Sequence, residues 1–427
     1  MSGKSILKRI DWFTVLIYLL LVGIGWLNIY SSTYSETDLS VLNFGTLYGK
    51  QLMFIFASLF AIIIILGLEA DFYERFASLI YIVSVLLLLG LFVFGKTIAG
   101  ATSWYDVGFF NLQPSELAKV GTALALAKYL SDIQTDIKRN KDQLFAFLII
   151  IIPVILIVPQ PDPGSALVFF ALVFVLFREG LPLYYLAIVF LMILVFISTL
   201  MYGTIWIAII LGILISLFLL LKKPSFKVPI LPLVSFFIIA VVFSLSVNFV
   251  FNTVFEQRHR DRFSLWLRLE KDPQKLEEIK KTIGYNTYQS EQAIGSGGFF
   301  GKGFMEGTRT KGNFVPEQHT DFIFSTVGEE WGFVGTSTVI ILFTLLLLRL
   351  VYLSERQKNH FSRMYGYGII SILLIHYFIN IGMVIGILPT IGIPLPFFSY
   401  GGSGLLFFTA LLFIFIKLDS NRLNEWN

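Results

Sequence analysis

Long apolar segments alternate with short polar ones along the whole chain. Runs of about 18 or more apolar residues are typical of transmembrane helices, because about 20 helical residues span the hydrocarbon core of a bilayer. The pattern predicts an all-α polytopic membrane protein with about ten to twelve transmembrane helices, in a single domain over 1–427 that contains a large loop at 252–321. The apolar segments lie at 12–30, 51–68, 77–95, 116–130, 144–158, 164–178, 183–200, 204–221, 229–251, 322–350, 365–388 and 400–418.

The distribution of lysine and arginine predicts the orientation. If the N-terminus is cytoplasmic, the cytoplasmic segments hold most of the basic residues, and the short loops on the other side hold only Lys50 and Lys96. Basic residues favour the cytoplasmic side, whereas long loops such as 252–321 cross regardless of charge. Both termini are therefore predicted inside, and the large loop is predicted outside. Because successive segments cross the membrane in alternate directions, the other polar or Gly/Pro-rich stretches are also predicted outside. They lie at 104–119, 161–165 and 389–404.

Composition narrows the class of protein further. With 56% hydrophobic and 14% charged residues, the chain does not have the composition of a soluble globular protein. It has no cysteine, which excludes disulfides, thiolate metal sites and a cysteine nucleophile, and no two of its four histidines have metal-ligand spacing. The first apolar run begins at Trp12 and lacks a small-residue cleavage site, so we expect a retained helix and not a signal peptide.

A polar run gives way to a long apolar one between Asn313 and Gly335, with Asp321 at the junction. A carboxylate inside a membrane costs about 2.5–3.5 kcal/mol at the bilayer centre, which indicates a function for it. The alternative is a helix cap, since Thr320 and Asp321 suit a helix N-terminus. If the apolar run is one helix, a face of small and polar residues forms a groove in it. That face consists of Asp321, Ser325, Gly328, Gly332 and Gly335.

A second candidate lies where another apolar segment begins, at 113–119. Pro114 and Ser115 predict a helix start, with Glu116 in the first turn. Glu116 and Lys119 are three residues apart and therefore pair on one face, as a structural clasp or as a substrate contact.

Two polar stretches nearby suggest contacts to a sugar. Trp104 and Asp106 offer a stacking surface and a hydrogen-bond acceptor, although such a tryptophan commonly belongs to an interfacial aromatic belt. Asp162 interrupts two apolar segments and is either an N-cap for the second one or a functional contact.

The large loop contains basic and glycine-rich segments. Arg258, Arg260 and Arg262 suit a lipid phosphate, a pyrophosphate or anionic headgroups. The run Gly295–Gly303 lacks the spacing of a nucleotide phosphate loop. It is either a loop whose bare backbone approaches a bulky anionic ligand or a flexible connection. Within an apolar segment, His376 and Asn380 are four apart, which favours a helix–helix hydrogen bond over a ligand site.

Several long motifs resemble one family, the SEDS proteins (shape, elongation, division and sporulation). They are G-S-G-G-x-x-G-K-G at 295–303, P-E-x-H-T-D-F-I-F-x-x-x-G-E-E-x-G-F-x-G at 316–335, Q-P-S-E-x-x-K at 113–119 and P-L-P-F-F-S-Y-G-G-S at 394–403. The resemblance covers about residues 8 to 420. Gly301–Gly303 and the following Gly307-Thr308 are more similar to elongation-type than to division-type members. Pro163 and Gly404 depart from the usual Leu and Ser. The arginines around 258–262 align in two registers.

The resemblance implies a peptidoglycan glycosyltransferase that polymerises lipid II on the outer face of the bacterial inner membrane during cell elongation. Its expected partners are a class B penicillin-binding protein, the lipid II substrate and membrane lipid, with no nucleic acid. Alternatives are a lipid II flippase, a division-type polymerase and, more weakly, a scaffold without activity. The family commonly has ten membrane helices, so a surplus pair is expected between 183 and 251, in which 183–221 forms a hairpin that turns outside near Tyr202-Gly203 and returns to Lys222–Lys227 inside.

The resemblance also implies roles for residues. Asp321 matches the family's essential acid and is the expected general base. Trp104, Glu116 and Lys119 match functionally sensitive positions. Positive charge for the leaving pyrophosphate is expected from Lys119, Lys302, the arginines or a divalent cation, Mg²⁺ or Mn²⁺, although no protein metal site is predicted. The groove below Asp321 would take the lipid tail. The full set of expected substrate-binding residues is Trp104, Glu116, Lys119, Asp162, Arg258, Arg260, Arg262, Lys302, Glu317, His319 and Ser399.

Overall fold

The computed structural model describes most of the chain and is predominantly helical. The predicted position of Lys222–Lys227 and the side chain of Arg258 lie outside the described part. The residues described are 8–34, 43–98, 100–108, 110–221, 230–254, 257–267, 269, 272, 274, 277, 281–282, 284–312 and 314–422.

Each of the twelve predicted apolar segments is helical in the structure. A single-turn 3₁₀ helix at Phe170–Leu172 joins α6 to α7, and a π-helical turn at Val250–Val254 follows α10. The helices are α1 (Trp12–Thr33), α2 (Leu47–Gly67), α3 (Ala70–Phe94), α4 (Pro114–Ser131), α5 (Asn140–Ile157), α6 (Pro163–Phe169), α7 (Val173–Arg178), α8 (Tyr184–Tyr202), α9 (Thr204–Leu221), α10 (Ile230–Phe249), α11 (Gln257–Trp266), α12 (Tyr285–Gly297), α13 (Thr308–Lys311), α14 (Ile323–Glu355), α15 (His360–Val384) and α16 (Gly402–Asn421).

Ten helices in the described part are long and apolar enough to cross a membrane. The other two predicted segments differ from these in a way that explains the count. The stretch Pro163–Arg178 is shorter. Helix α4 carries Glu116 and Lys119 and is buried on almost all sides, against α3, α5 and α15. A helix covered by protein on every side tolerates polar residues that a lipid-exposed helix would not.

A small antiparallel sheet between α3 and α4 was not predicted. Its strands are β1 (Lys96–Ile98), β2 (Ala101–Asp106) and β3 (Asn111–Leu112), in that order. Gly100 and Gly108 lie at its two turns with φ of 84° and 89°, a conformation that glycine adopts readily. The sheet places Trp104 on its central strand, and that strand packs against α4.

The chain divides into two compact units, and the first comprises residues 1–181 and 286–427. Within it, α4 packs against α3 and α15, α16 against α2, and α14 against α1 and α15. Ion pairs connect the helix ends on the predicted cytoplasmic side. Asp11 caps α1 and accepts from Arg349, and the fully buried Asp419 accepts from Arg356 and Arg422. Burial raises the pKa of the Asp11 carboxyl, but the hydrogen bonds from Arg349 and Thr14 outweigh it and leave that pKa lowered.

The second unit comprises residues 182–285 and contains α8 to α11. Helices α8 and α9 form the predicted hairpin, with Gly203 at the turn in the left-handed region (φ 82°). Ser244 on α10 donates to Thr204 (3.1 Å) and shares a hydrogen bond with Thr199 (2.8 Å). These hydroxyls satisfy one another in apolar surroundings and fix α10 against the hairpin.

Candidate functional site

The backbone of Asp321 is held by α15. The buried side chain of Asn380 donates from Nδ2 to the carbonyl oxygen of Asp321 (2.8 Å) and to that of Ile393 (2.7 Å). One amide therefore ties the start of α14 to the segment that precedes α16. The Asp321 side chain is half-buried.

The segment 393–400 supports the residues before Asp321 from the other side. Ser399 Oγ donates to the carbonyl of Thr320 (2.7 Å) and accepts from the amide of Leu395 (2.9 Å). The amide of Tyr400 donates to the carbonyl of His319 (2.9 Å). Two of the predicted site residues, His319 and Ser399, are thus brought next to Asp321, with Ser399 acting on the backbone.

The Asp321 carboxylate lies against a glycine. A Cβ added to Gly392, which has φ of 82°, would be 3.3 Å from Asp321 Oδ2. Only a glycine leaves this approach to the carboxylate open without backbone strain. Sequence reasoning did not identify Gly392, although its place two residues before the P-L-P-F-F-S-Y motif was a usable signal.

The predicted helical face below Asp321 is wrong in two respects. Helix α14 begins at Ile323 with Phe322 as the N-cap, so Asp321 precedes the helix, and no side chain caps that end. The capping alternative for Thr320 and Asp321 is therefore wrong as well. Further along, Gly332 has φ of 62° and ψ of −153°, which interrupts the helix and ends the 4-3-4-3 register.

The small residues of α14 are covered by protein. A Cβ on Gly328 would be 2.7 Å from Ile294, and one on Gly301 would be 2.1 Å from the carbonyl oxygen of Glu330. Gly301 in the glycine-rich run therefore approaches the backbone of α14, and the approach of the run's bare backbone to a ligand stays a prediction. The expected groove for a lipid tail is likewise wrong, because Gly328 and Gly332 are buried beneath residues 294–301.

Glu329 is the hydrogen-bond centre of this packing. Its fully buried carboxylate accepts from Lys302 Nζ (2.7 Å), from the amides of Arg309 (3.0 Å) and Thr310 (2.8 Å), and from Thr310 Oγ1 (2.8 Å). Glu329 thus fixes α13 and the preceding loop onto α14. Lys302 already has a carboxylate partner, and its predicted contact with substrate stays a prediction.

The predicted ion pair between Glu116 and Lys119 is confirmed. Lys119 Nζ lies 2.7 Å from Glu116 Oε1, and the two side chains are 3% and 4% exposed. Lys119 Nζ also lies 3.0 Å from His376 Nε2, and His376 Nδ1 lies 3.1 Å from the carbonyl oxygen of Pro394. The Lys119 ammonium is 4.9 Å from the centre of the Phe408 ring. In this structure the pair is a buried clasp without access to substrate, and a contact with substrate stays a prediction.

A family model described as cell cycle protein, for FtsW, RodA and SpoVE, matches residues 11–209 and 202–424. These matches include the Asp321 segment, the clasp and the second unit. The chain belongs to the FtsW/RodA/SpoVE family. This is the SEDS family that the motifs indicated.

Relatives of this chain include proteins named MrdB or RodA and proteins named FtsW. The peptidoglycan glycosyltransferase MrdB of Escherichia coli (strain K12) is 32% identical over 352 residues, covering 82% of this chain and 79% of MrdB. The peptidoglycan glycosyltransferase RodA of Treponema pallidum is 32% identical over 438 residues, covering 94% and 95%. A probable peptidoglycan glycosyltransferase FtsW of Buchnera aphidicola is 28% identical, covering 87% of this chain and 79% of that protein.

Solved structures show the same fold. A chain from a peptidoglycan synthase complex, studied for its structural coordination of polymerization and crosslinking, aligns with a TM-score of 0.71 at 27% identity, covering 97% of this chain and 98% of that one. The crystal structure of the rod shape determining protein RodA of Thermus thermophilus aligns with a TM-score of 0.61 at 26% identity, covering 97% of each chain. This member of the FtsW/RodA/SpoVE family is thus a multi-pass membrane protein.

Other predicted site residues of this family member have structural partners. Asp162 is the N-cap of α6, as predicted, and accepts from the amide of Ser165 (3.0 Å) and from Gln113 Nε2 (3.1 Å). Trp104 is half-buried on β2. Asp106 accepts from Lys96 (2.8 Å), and this hydrogen bond lowers the pKa of the Asp106 carboxyl. Exposed Glu317 accepts from Thr320 Oγ1 (2.8 Å).

The arginines belong to the second unit. Arg260 Nη1 on α11 donates to the carbonyl of Asn252 (3.2 Å), and Arg262 lies on the same helix. Both are half-buried. Their contact with substrate stays a prediction. Among the described residues, no group of three or more His, Asp or Glu side chains is placed to hold a metal ion.

Proposed function

We propose that this protein is a peptidoglycan glycosyltransferase that polymerises lipid II into glycan strands on the outer face of the bacterial inner membrane during cell elongation. The observation that carries the proposal is the placement of Asp321. Its half-buried carboxylate lies outside α14, faces Gly392, and has its backbone fixed from two sides. Relatives over most of the chain with this activity in their names support the reaction type.

In the proposed reaction, the 4-hydroxyl of the acceptor sugar attacks the anomeric carbon of the donor. A new carbon–oxygen bond forms there as the bond to the pyrophosphate breaks, and the polyprenyl pyrophosphate leaves with that electron pair. Asp321 takes the proton of the attacking hydroxyl and acts as general base. A carboxylate on a rigid backbone is suited to this role, because a base must stay within hydrogen-bond reach of the proton that it removes.

The leaving pyrophosphate requires positive charge. In this structure Lys119 is buried and Lys302 pairs with Glu329, and contact of either one with the pyrophosphate stays a prediction. Contact of Arg260 and Arg262 with the pyrophosphate likewise stays a prediction. A role for a divalent cation, Mg²⁺ or Mn²⁺, stays a prediction.

A class B penicillin-binding protein that crosslinks the new strands is the proposed partner, and the active site is proposed to face the periplasm. The similarity to a chain of a complex that coordinates polymerization and crosslinking supports this partner. The rival function, a flippase, would use an intramembrane charge such as Glu329 to move the headgroup. Glu329 instead accepts from five donors of residues 302–310, which favours the polymerase.

The decisive experiment supplies purified protein in detergent with lipid II, alone and with its transpeptidase partner. We expect long glycan products on a gel, because a polymerase needs no membrane for its reaction. A flippase needs a membrane across which to move its substrate, and a scaffold has no activity, so neither would make polymer. Absence of polymer under both conditions, from protein that remains monodisperse, would overturn the proposed function.

A further inference from the structure

A chain of buried polar groups leads from the Glu116–Lys119 pair to the segment beside Asp321. Lys119 contacts Glu116 at 2.7 Å and His376 at 3.0 Å, and His376 reaches Pro394 at 3.1 Å. His376 is 1% exposed. Side chains this deeply buried act on their neighbours and have no access to substrate in this structure.

The partners of His376 fix its tautomer. A lysine ammonium has donors only, so Nε2 of His376 must accept from Lys119. The carbonyl of Pro394 has only acceptor capacity, so Nδ1 must carry the proton and donate to it. The same ammonium donates to Glu116 Oε1. Each hydrogen bond from Lys119 through His376 to Pro394 therefore has one possible direction.

This series of hydrogen-bonded groups ends at Pro394, one residue from the carbonyl that shares a donor with Asp321. Pro394 follows Ile393, whose carbonyl shares the Asn380 amide with the carbonyl of Asp321. Five residues later, Ser399 binds the carbonyl of Thr320. A shift of Pro394 therefore displaces the backbone on both sides of the Asp321 carboxylate.

We propose that Glu116, Lys119 and His376 are positioning residues, which set the place of the Asp321 carboxylate through the 393–400 segment without touching substrate. This rests on the proposed function, in which Asp321 is the base. It deepens that function, because it assigns the Glu116–Lys119 pair an indirect role and adds His376, which the sequence motifs did not single out as functional.

Two replacements of His376 separate its two contacts. The amide of asparagine takes the place of Nδ1, so His376→Asn keeps a donor for Pro394 and loses the contact with Lys119. The amide of glutamine takes the place of Nε2, so His376→Gln keeps a partner for Lys119 and leaves the Pro394 carbonyl unbound. Ser371→Ala is the matched control, because Ser371 is buried on the same helix and donates only to Tyr367 within that helix.

The first readout is the rate of lipid II polymerisation by the purified full chain. We expect kcat to fall by roughly 100-fold in His376→Gln, since displacement of a catalytic group by about 1 Å has an effect of this size. In His376→Asn the loss should be below about tenfold, with KM within about twofold in both variants. Equal losses in the two variants, or a large rise in KM, would overturn the proposal. Loss of wild-type polymerisation would instead count against the proposed function.

The second readout requires no activity. With only four histidines in the chain, ¹⁵N-histidine spectra of wild type and His376→Gln identify the His376 ring nitrogens. We expect a protonated Nδ1 and an unprotonated Nε2 in wild type, and a changed tautomer distribution in Lys119→Met. A wild-type His376 protonated on Nε2, or a spectrum that Lys119→Met leaves unaltered, would contradict the proposal even if the His376 variants failed to fold.

Discussion

At the scale of single residues, the candidate site is built from backbone contacts more than from side chains that face each other. Asn380 binds the carbonyl of Asp321 and Ser399 binds that of Thr320, so the backbone that carries the Asp321 side chain is held in place. Such second contacts commonly decide whether a catalytic group keeps the geometry that its reaction needs.

The proposed base leads to a direct prediction. Asp321→Asn keeps the shape of the side chain but removes its basicity, so we expect polymerisation to fall by more than about 100-fold. The purified variant should still be folded and still bind its transpeptidase partner. Asp71→Asn, which changes an exposed acid at the start of α3, is the control and should retain wild-type activity. An Asp321→Asn enzyme within a few-fold of wild type would remove Asp321 from the role of base.

His319 predicts a pH dependence of stability. Burial lowers the pKa of its imidazole, while the charge of Glu317 opposes the shift in part. Because the folded pKa is below the unfolded value of about 6.5, the unfolded state binds the proton more tightly. The free energy of unfolding should therefore fall as the pH drops below about 6.5 and level off below the folded pKa.

Thermal unfolding of wild type and His319→Gln in detergent between pH 8 and pH 5 measures this effect. The difference in stability between the two proteins should be constant above pH 7 and should shift against wild type at lower pH. Parallel curves over the whole range would contradict the assignment to His319.

At the scale of elements, the apolar pattern predicted the helices. The features that it did not predict depend on contacts between residues far apart in the sequence. Periodicity shows where a helix is favourable, but the break at Gly332 depends on residues 298–301, which bind the backbone of α14 from a distant part of the sequence. The clasp was predictable because Glu116 and Lys119 are neighbours on one helix. Its third member, His376, is 257 positions from Lys119, and no local spacing relates them.

The close packing of the loop on α14 predicts unequal effects of alanine at two glycines. Gly301 has φ of 81°, and its Cβ would be 2.1 Å from the carbonyl of Glu330, so Gly301→Ala should destabilise the protein by about 1–3 kcal/mol. Gly295 has open space around its Cβ position within α12, so Gly295→Ala should be neutral or stabilising by up to about 1 kcal/mol. Equal shifts of the unfolding midpoint in detergent would refute this explanation.

At the scale of the whole molecule, the sequence predicted different features for the two units. The first contains the motifs, and of its predicted residues His319 and Ser399 lie next to Asp321. The second contains the α8–α9 hairpin, whose existence followed from two apolar runs with Gly203 between them. The orientation of this hairpin is predicted from the basic residues on either side of it.

The absence of cysteine from the sequence makes the orientation testable by single substitutions. Tyr202 is 60% exposed beside the hairpin turn, and Tyr202→Cys should react with a membrane-impermeant maleimide added outside intact spheroplasts. Lys141→Cys, exposed at the start of α5 on the predicted cytoplasmic side, should react only after lysis. The reverse pattern would invert the proposed topology and place the Asp321 site in the cytoplasm.

The interruption of α14 has a consequence for motion. The amides of Phe333 and Val334 donate to the carbonyls of Gly298 (2.9 Å) and Phe299 (3.1 Å). In apolar surroundings each unpaired amide costs several kcal/mol, so the loop can withdraw only if the helix straightens and recovers those bonds within itself. The interruption of α14 at Gly332 and the contact of residues 298–299 with it are therefore coupled, and neither can change without the other.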